Sequence, residues 1–353
     1  MNHFEEVIGH GAVIALLRSE LLSPSHAYLF VGPGNVGKAR VAREFAAALV
    51  GGDDDDAVRR ARNGAHPDLV LVAPDGRASI TVDQARSVVS AASLSPLEVG
   101  RKVFLFEEAS MLNAGAANAL LKSIEEPIAT TTFVLVADSA DDLPATVASR
   151  CRTVVFGRVD MGAISAGLVA MGVDAERANE ASLISGGRPG LAVALASEPK
   201  VAAFRNVWLS VPGELTNQPG DAYRVSAMVI EATEPLLAAV KARQKEDLAD
   251  NYPDVDVPKM YIERQQRELA RLTDSLYESG LELLASFYRD TAAAQIGADV
   301  LNTDIPVSSL TRVTTETAVR NASRVLDTID HLRSNQRPAL AFATLFLDLG
   351  TDD

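Results

Sequence analysis

The segment Gly32-Pro33-Gly34-Asn35-Val36-Gly37-Lys38 has the residue types and the spacing to hold a phosphate. The apolar run Ala27-Tyr28-Leu29-Phe30-Val31 before it reads as a buried parallel strand, and residues 40–49 after it read as a helix. A glycine-rich turn in that setting lets successive backbone N–H groups curl around an anion. The helix N-terminus adds partial positive charge. Gly32, Gly34, Gly37 and Lys38 are the expected nucleotide contacts, with Lys38 reaching the β- and γ-phosphates. The next position departs from the hydrolytic pattern. A Ser or Thr there ligates Mg²⁺ through its hydroxyl, but Ala39 has no oxygen to give. The motif predicts a phosphate-loop fold with a degenerate site that holds ATP or ADP, if at all, without hydrolysis. The structural alternative is a vestigial loop kept for its strand-turn-helix geometry.

A second candidate group, Glu107-Glu108, ends the apolar run Val103-Phe104-Leu105-Phe106. Acids at such a strand end suit a Walker B element, the first ligating Mg²⁺ and the second orienting the attacking water. The usual first acid is Asp. Glu107 is one methylene longer, which makes this half-site weak, and a solvated strand end is the alternative. The run Asp53-Asp54-Asp55-Asp56 lacks apolar anchors and reads as a solvated, mobile loop, not a metal cage.

The elements that must position these groups alternate. An amphipathic helix is expected over residues 4–22, a strand over 69–72, and a helix over 84–92 with Asp83 as its N-cap. A strong helix over 116–126 is stopped by Pro127, and strands follow at 132–137 and 153–156. Strands alternating with helices, with a phosphate loop after the first strand, imply a right-handed parallel α/β sheet. Beyond Val159 the strands stop. Short helices are expected at 163–171, 175–185 and 191–198, then a loop over 213–220. Further helices are expected at 236–246, 258–294, 308–334 and 338–349, with Asn251-Tyr252-Pro253-Asp254 as punctuation. The predicted domains are 1–158 (α/β), 159–212 (a small helical lid) and 213–353 (an all-α domain).

Composition narrows the class. The balance of 47% hydrophobic and 23% charged residues is that of a globular protein, and 353 residues suffice for two or three cores. A formal charge of −14 disfavours autonomous, tight DNA binding. A single cysteine, Cys151, permits no intrachain disulfide and no cysteine zinc site. The N-terminus lacks a basic and then apolar leader, and no apolar stretch has membrane-spanning length, so a cytoplasmic protein is expected.

Four blocks resemble the δ′ subunit family of the bacterial DNA polymerase III clamp loader, of the AAA+ class. They are residues 25–33 leading into the phosphate loop; the helix Asn118-Ala119-Leu120-Leu121-Lys122-Ser123-Ile124-Glu125-Glu126-Pro127; the segment Pro144 to Cys151, ending in Ser149-Arg150-Cys151; and Asn335-Gln336-Arg337-Pro338-Ala339-Leu340-Ala341. The resemblance is close over the first 160 residues and architectural beyond them. It implies a AAA+ domain, a helical lid and a C-terminal collar domain used for oligomerisation. It implies γ/τ and δ subunits as partners, and contact with the sliding clamp and primer–template DNA through the assembly. It assigns Arg150, flanked by Ser149 and Cys151, as an arginine finger that meets the γ-phosphate in the next subunit. The alternative is an Arg150 that caps or salt-bridges within its own domain, with Arg152 a neighbour and Cys151 a packed residue. Where many relatives carry a zinc-binding cysteine cluster this chain has none, so no zinc is expected. The family's sensor arginine would fall on Pro189, beside Arg188. Ala39, Glu107 and Pro189 together point to a subunit that does not turn over ATP itself; the rival is an active AAA+ ATPase of the γ/τ type.

Overall fold

The computed structural model describes the chain except residues 1, 2, 6, 75–78, 99, 197–200, 217, 252–258, 303, 311, 312, 335, 352 and 353. The punctuation at Tyr252-Pro253-Asp254, the expected helix end at Glu198 and the Asn335 of the last family block lie outside the described residues. The chain divides into two compact units. One is Met1–Gly167 with Gly187–Gly190 and Pro258–Arg264; the other is Leu168–Gly186, Leu191–Val257 and Gln265–Asp353.

The first unit is built on five parallel strands: β1 (Ala27–Val31), β2 (Leu69–Leu71), β3 (Lys102–Phe106), β4 (Thr131–Val136) and β5 (Arg152–Val155), in the order β2-β3-β4-β1-β5. Every residue of β1, β3 and β4 is buried, as expected for strands covered on both faces. Alternation sorts their side chains. Leu29, Phe104, Phe106, Phe133 and Leu135 pack towards α4 (Val82–Ala92) and α5 (Ala114–Glu125). Tyr28, Phe30, Leu105, Val134 and Val136 pack towards α1 (Gly11–Glu20) and α2 (Lys38–Gly51). Burial of each large apolar side chain contributes about 1.5–3 kcal/mol, so these two layers hold the strand ends in register.

Several expected elements shift. The first helix starts at Gly11, not residue 4, because Phe4 and His10 take left-handed backbone (φ 78° and 57°). The aspartate run is no mobile loop. Asp54 caps α3 (Asp55–Arg62), accepting from the N–H groups of Asp56 (2.9 Å) and Ala57 (3.2 Å). Asp55 and Asp56 occupy the first turn and Arg59, Arg60 and Arg62 the last, the arrangement the helix dipole favours. Thr81 rather than Asp83 caps α4, because Gln84 at the third position returns the bond and closes a capping box.

After α6 (Ala145–Ala148), β5 and α7 (Met161–Ala170), the regular elements among the described residues are all helices. The helices are α8 (Ala175–Ser185), α9 (Pro189–Leu195), α10 (Val201–Glu214), α11 (Pro219–Glu231), α12 (Glu234–Asn251), α13 (Lys259–Gln295), α14 (Val307–Leu310), α15 (Thr315–Arg333) and α16 (Pro338–Gly350). The loop expected at 213–220 is only the interval between α10 and α11. The helix expected at 308–334 is two, with Thr314 capping the second by accepting from the Thr317 N–H. In the second unit Trp208 is fully buried, edge-on to Phe342 at 5.5 Å, and Phe342 meets Tyr277 at 5.3 Å.

Candidate functional site

Parallel strands place their C-terminal ends along one edge. That edge carries the loop after β1, the Glu107-Glu108 pair after β3, and Asp138-Ser139 after β4. The loop is held on several sides. Gly32 has φ 146°, and a Cβ there would collide with the Phe156 carbonyl, so only glycine fits. Asn35 and Gly37 are also left-handed (φ 57° and 103°), whereas Gly34 is not. The Val36 carbonyl bonds His10 Nε2 at 2.8 Å, and the Asn35 carbonyl accepts the Gly190 N–H at 2.9 Å.

Lys38 is buried at 6% exposure. Its ammonium donates to the carbonyls of Gly32 and Pro33 (2.6 Å to the latter) and to Asp138 Oδ1 at 2.8 Å. The lysine therefore lies within its own loop, as a phosphate-binding lysine must, and Asp138 is a partner that sequence reasoning missed. Glu107 is engaged from the opposite direction. Arg43, on α2, donates from Nε to Oε1 and from Nη2 to Oε2 (2.8 Å), the fork geometry of the strongest ion pairs. Glu108 is buried beside it. A divalent cation at this edge would need the hydroxyl that Ala39 lacks and the carboxylate that Arg43 holds with two bonds. The residues present do not fit a bound Mg²⁺. Spacing along the sequence carries no sign of the Arg43–Glu107 contact, which joins residues 64 positions apart.

The turn Gly187-Arg188-Pro189 is also part of this unit. Gly187 is left-handed at φ 83°, Arg188 is buried, and Pro189 opens α9. Among the described residues no group of three or more His, Cys, Asp and Glu side chains is placed to hold a metal. No helix among them is long and apolar enough to cross a membrane.

The Ser149-Arg150-Cys151 segment lies elsewhere. It joins α6 to the start of β5, where Arg152 pairs in register with Tyr28 near the start of β1. Arg150 is thus beyond the amino-terminal edge of the sheet, and the phosphate loop follows the carboxyl-terminal edge. The neighbours of Arg150 anchor it. Val147 is fully buried, and the Cys151 thiol packs against the core and donates to the Val147 carbonyl at 3.4 Å. Burial pushes that thiol up to about 12, so it is a packed residue and no nucleophile. The Arg150 guanidinium stays outside, 39% exposed, donating to the Thr146 carbonyl (2.8 Å) and pairing with Glu125 Oε1 at 2.5 Å. Arg152 turns away to Glu20 (2.9 Å), a buried acid that also accepts the Tyr28 hydroxyl.

Comparison with known proteins finds similarity over the first unit. Residues 11–160 match the family described as DNA polymerase III, delta subunit. The chain is 37% identical over 136 residues to DNA polymerase III subunit delta′ of Pseudomonas aeruginosa, covering 36% of this chain and 42% of the relative. It is 36% identical over 152 residues to the Bacillus subtilis delta′ subunit (41% and 46%), and 33% over 186 residues to the B. subtilis tau subunit (50% and 32%). The chain thus spans under half the length of each of these curated relatives. Among solved structures, a DNA polymerase III gamma subunit-related protein of Thermotoga maritima aligns with 96% of this chain and 99% of its own at TM-score 0.40 and 14% identity. Thermotoga maritima RuvB aligns with 81% and 91% at TM-score 0.44 and 16% identity. Through the sheet, the loop and the arginine segment, residues 11–160 of the chain are similar to the clamp-loader subunits of DNA polymerase III.

Proposed function

We propose that this chain is a δ′-type clamp-loader subunit that donates Arg150 in trans to a neighbouring ATP site and does not turn over nucleotide at its own loop. The observation that carries this is the position of Arg150. It lies across the sheet from Lys38, separated by about 10 Å of strand rise from Tyr28 to Val31 plus the flanking loops. A phosphate held at this chain's own loop lies at the opposite edge of the sheet from this guanidinium, which supports a role towards another chain. A planar guanidinium on the developing charge of a transferring phosphoryl group stabilises that transition state strongly. Ala39 and the Arg43–Glu107 pair support a loop that does not hydrolyse.

In this reading the partners are γ/τ and δ subunits, and the assembled complex loads the sliding clamp at primer–template junctions in the cytoplasm. The domain expected at 213–353 supplies the oligomeric collar. Its last helices expose Val319 and Leu326 on α15, and Leu340 and Leu347 on α16, each pair seven residues apart on one face. The test is DNA- and clamp-stimulated ATPase of the reconstituted complex, compared with its Arg150→Ala form. The expected result is a loss of turnover with assembly intact; unchanged turnover overturns the proposal. The active γ/τ-type alternative is favoured by the identity to a tau subunit and by an intact Lys38. Steady turnover by the isolated chain would establish it.

A further inference from the structure

We infer that Arg43 has replaced the divalent cation at this edge, so that the loop takes a nucleoside di- or triphosphate without metal. This rests on the preceding reading that the loop does not turn over nucleotide. The donor set argues for it. Mg²⁺ demands near-octahedral oxygen coordination and gives up its waters reluctantly. The protein oxygens available for it are reduced on both sides, by the methyl of Ala39 and by the fork of Arg43 on Glu107. For Glu107 to reach a metal, two charge-assisted hydrogen bonds must break, and Glu107 is only 12% exposed, so water does little to compensate.

The partners of Lys38 leave it able to take a phosphate oxygen. Lys38 is held by two neutral carbonyls and by Asp138, whose side chain is 73% exposed. A phosphate oxygen therefore displaces a solvated carboxylate, an inexpensive exchange, while the ammonium keeps its carbonyl partners. Arg43 supplies a second fixed cation five residues further along the same helix, and its charge is balanced by Glu107 until an anion arrives. Left-handed Asn35 and Gly37 shape the loop backbone that leads into Lys38.

The experiment is a calorimetric titration of the full chain with ATP and with ADP, in Mg²⁺ and again in EDTA. The expected affinities agree within about threefold between the two buffers, because the metal gains no protein ligand. Glu107→Gln keeps the shape of the side chain and removes the charge that balances Arg43. It is expected to tighten ATP binding and to leave it indifferent to EDTA. Arg43→Gln frees Glu107. It is expected to weaken binding in EDTA and to create a dependence on Mg²⁺ of about tenfold, the scale on which one ligand-shell group changes metal affinity.

Three results overturn the inference: a tenfold or greater loss of affinity for the unmutated chain in EDTA, a Glu107→Gln chain that binds ATP more weakly in Mg²⁺, or no saturable binding of either nucleotide. ATP hydrolysis by the isolated chain would instead overturn the reading on which it rests. Metal-dependent binding without turnover would defeat this inference and leave that reading standing.

Discussion

Replacing Arg150 with alanine separates a role in this chain from a role in its neighbour. Within the chain the guanidinium makes one ion pair with Glu125, both side chains about two-fifths exposed, and one hydrogen bond to Thr146. An exposed pair of this kind is worth about 0.2–1 kcal/mol, and the hydrogen bond about 1 kcal/mol. The substitution should therefore lower the stability of the isolated chain by no more than about 2 kcal/mol. In trans the stakes are larger, since an arginine finger contributes about 10³–10⁵ to turnover. Detaching Arg150 from Glu125 costs at most about 1 kcal/mol, a factor of roughly five. The lower bound, about 10³ divided by five, leaves a loss of about two hundredfold at the affected site. Other sites in the complex can remain active, so the assay is single-turnover hydrolysis beside the steady-state rate, with assembly checked by gel filtration. Arg150→Lys should recover only part of the rate, because a point charge cannot reproduce the fork. Glu125→Gln should change turnover by no more than about fivefold, upwards, because it releases the finger. Unchanged single-turnover rates with Arg150→Ala in an intact complex would refute the reasoning. A collapse with Glu125→Gln would do so too, by showing that the internal pair is itself the functional state.

Gly280 sits on α13 directly against the fully buried Trp208, and a Cβ there would lie well inside contact distance of the indole. Gly280→Ala should cost about 3 kcal/mol of overpacking less about 1 kcal/mol of helix propensity, a net loss of about 2 kcal/mol readable by urea denaturation. Asp54→Ala removes the N-cap of α3 and should cost about 1 kcal/mol, whereas a solvated loop at 53–56 would show no change. Cys151, pushed up to about 12 by burial, should resist alkylation at about pH 8.5 in the folded chain and react once unfolded. Between the ordinary thiol range and about 12 the folded state holds this proton and the unfolded state has lost it. The Cys151 contribution to stability is therefore present at neutral pH and declines as pH rises through that window, which equilibrium unfolding at pH 7 and at alkaline pH would measure.

Much of the architecture was legible from local chemistry. A strand with every residue apolar, a glycine turn and a helix face of small and apolar residues determine the β1–loop–α2 unit wherever it folds. The identity at position 39 excludes a hydroxyl ligand without any coordinates. The family block at 118–127 fell on the helix observed over 114–125, and another marked the arginine segment. Local chemistry misled where two capping solutions compete. A run of aspartates reads as solvated loop until the three arginines that follow complete a dipole-matched helix. Thr81 outcompetes Asp83 because only Thr81 has Gln84 at the reciprocal position.

What the sequence alone determined, then, is the glycine-rich loop, its missing hydroxyl and the arginine of the Ser149-Arg150-Cys151 segment. Tertiary structure alone decided the relations among them. Arg43 meets Glu107, and Lys38 meets Asp138, because parallel strands bring their carboxyl ends to one edge whatever the separation along the chain. Arg150 is sent to the other edge because α6 returns the chain to the start of β5. Ion-pair geometry acts over a few ångströms of space, and side-chain periodicity carries no information about which distant residues come to share it.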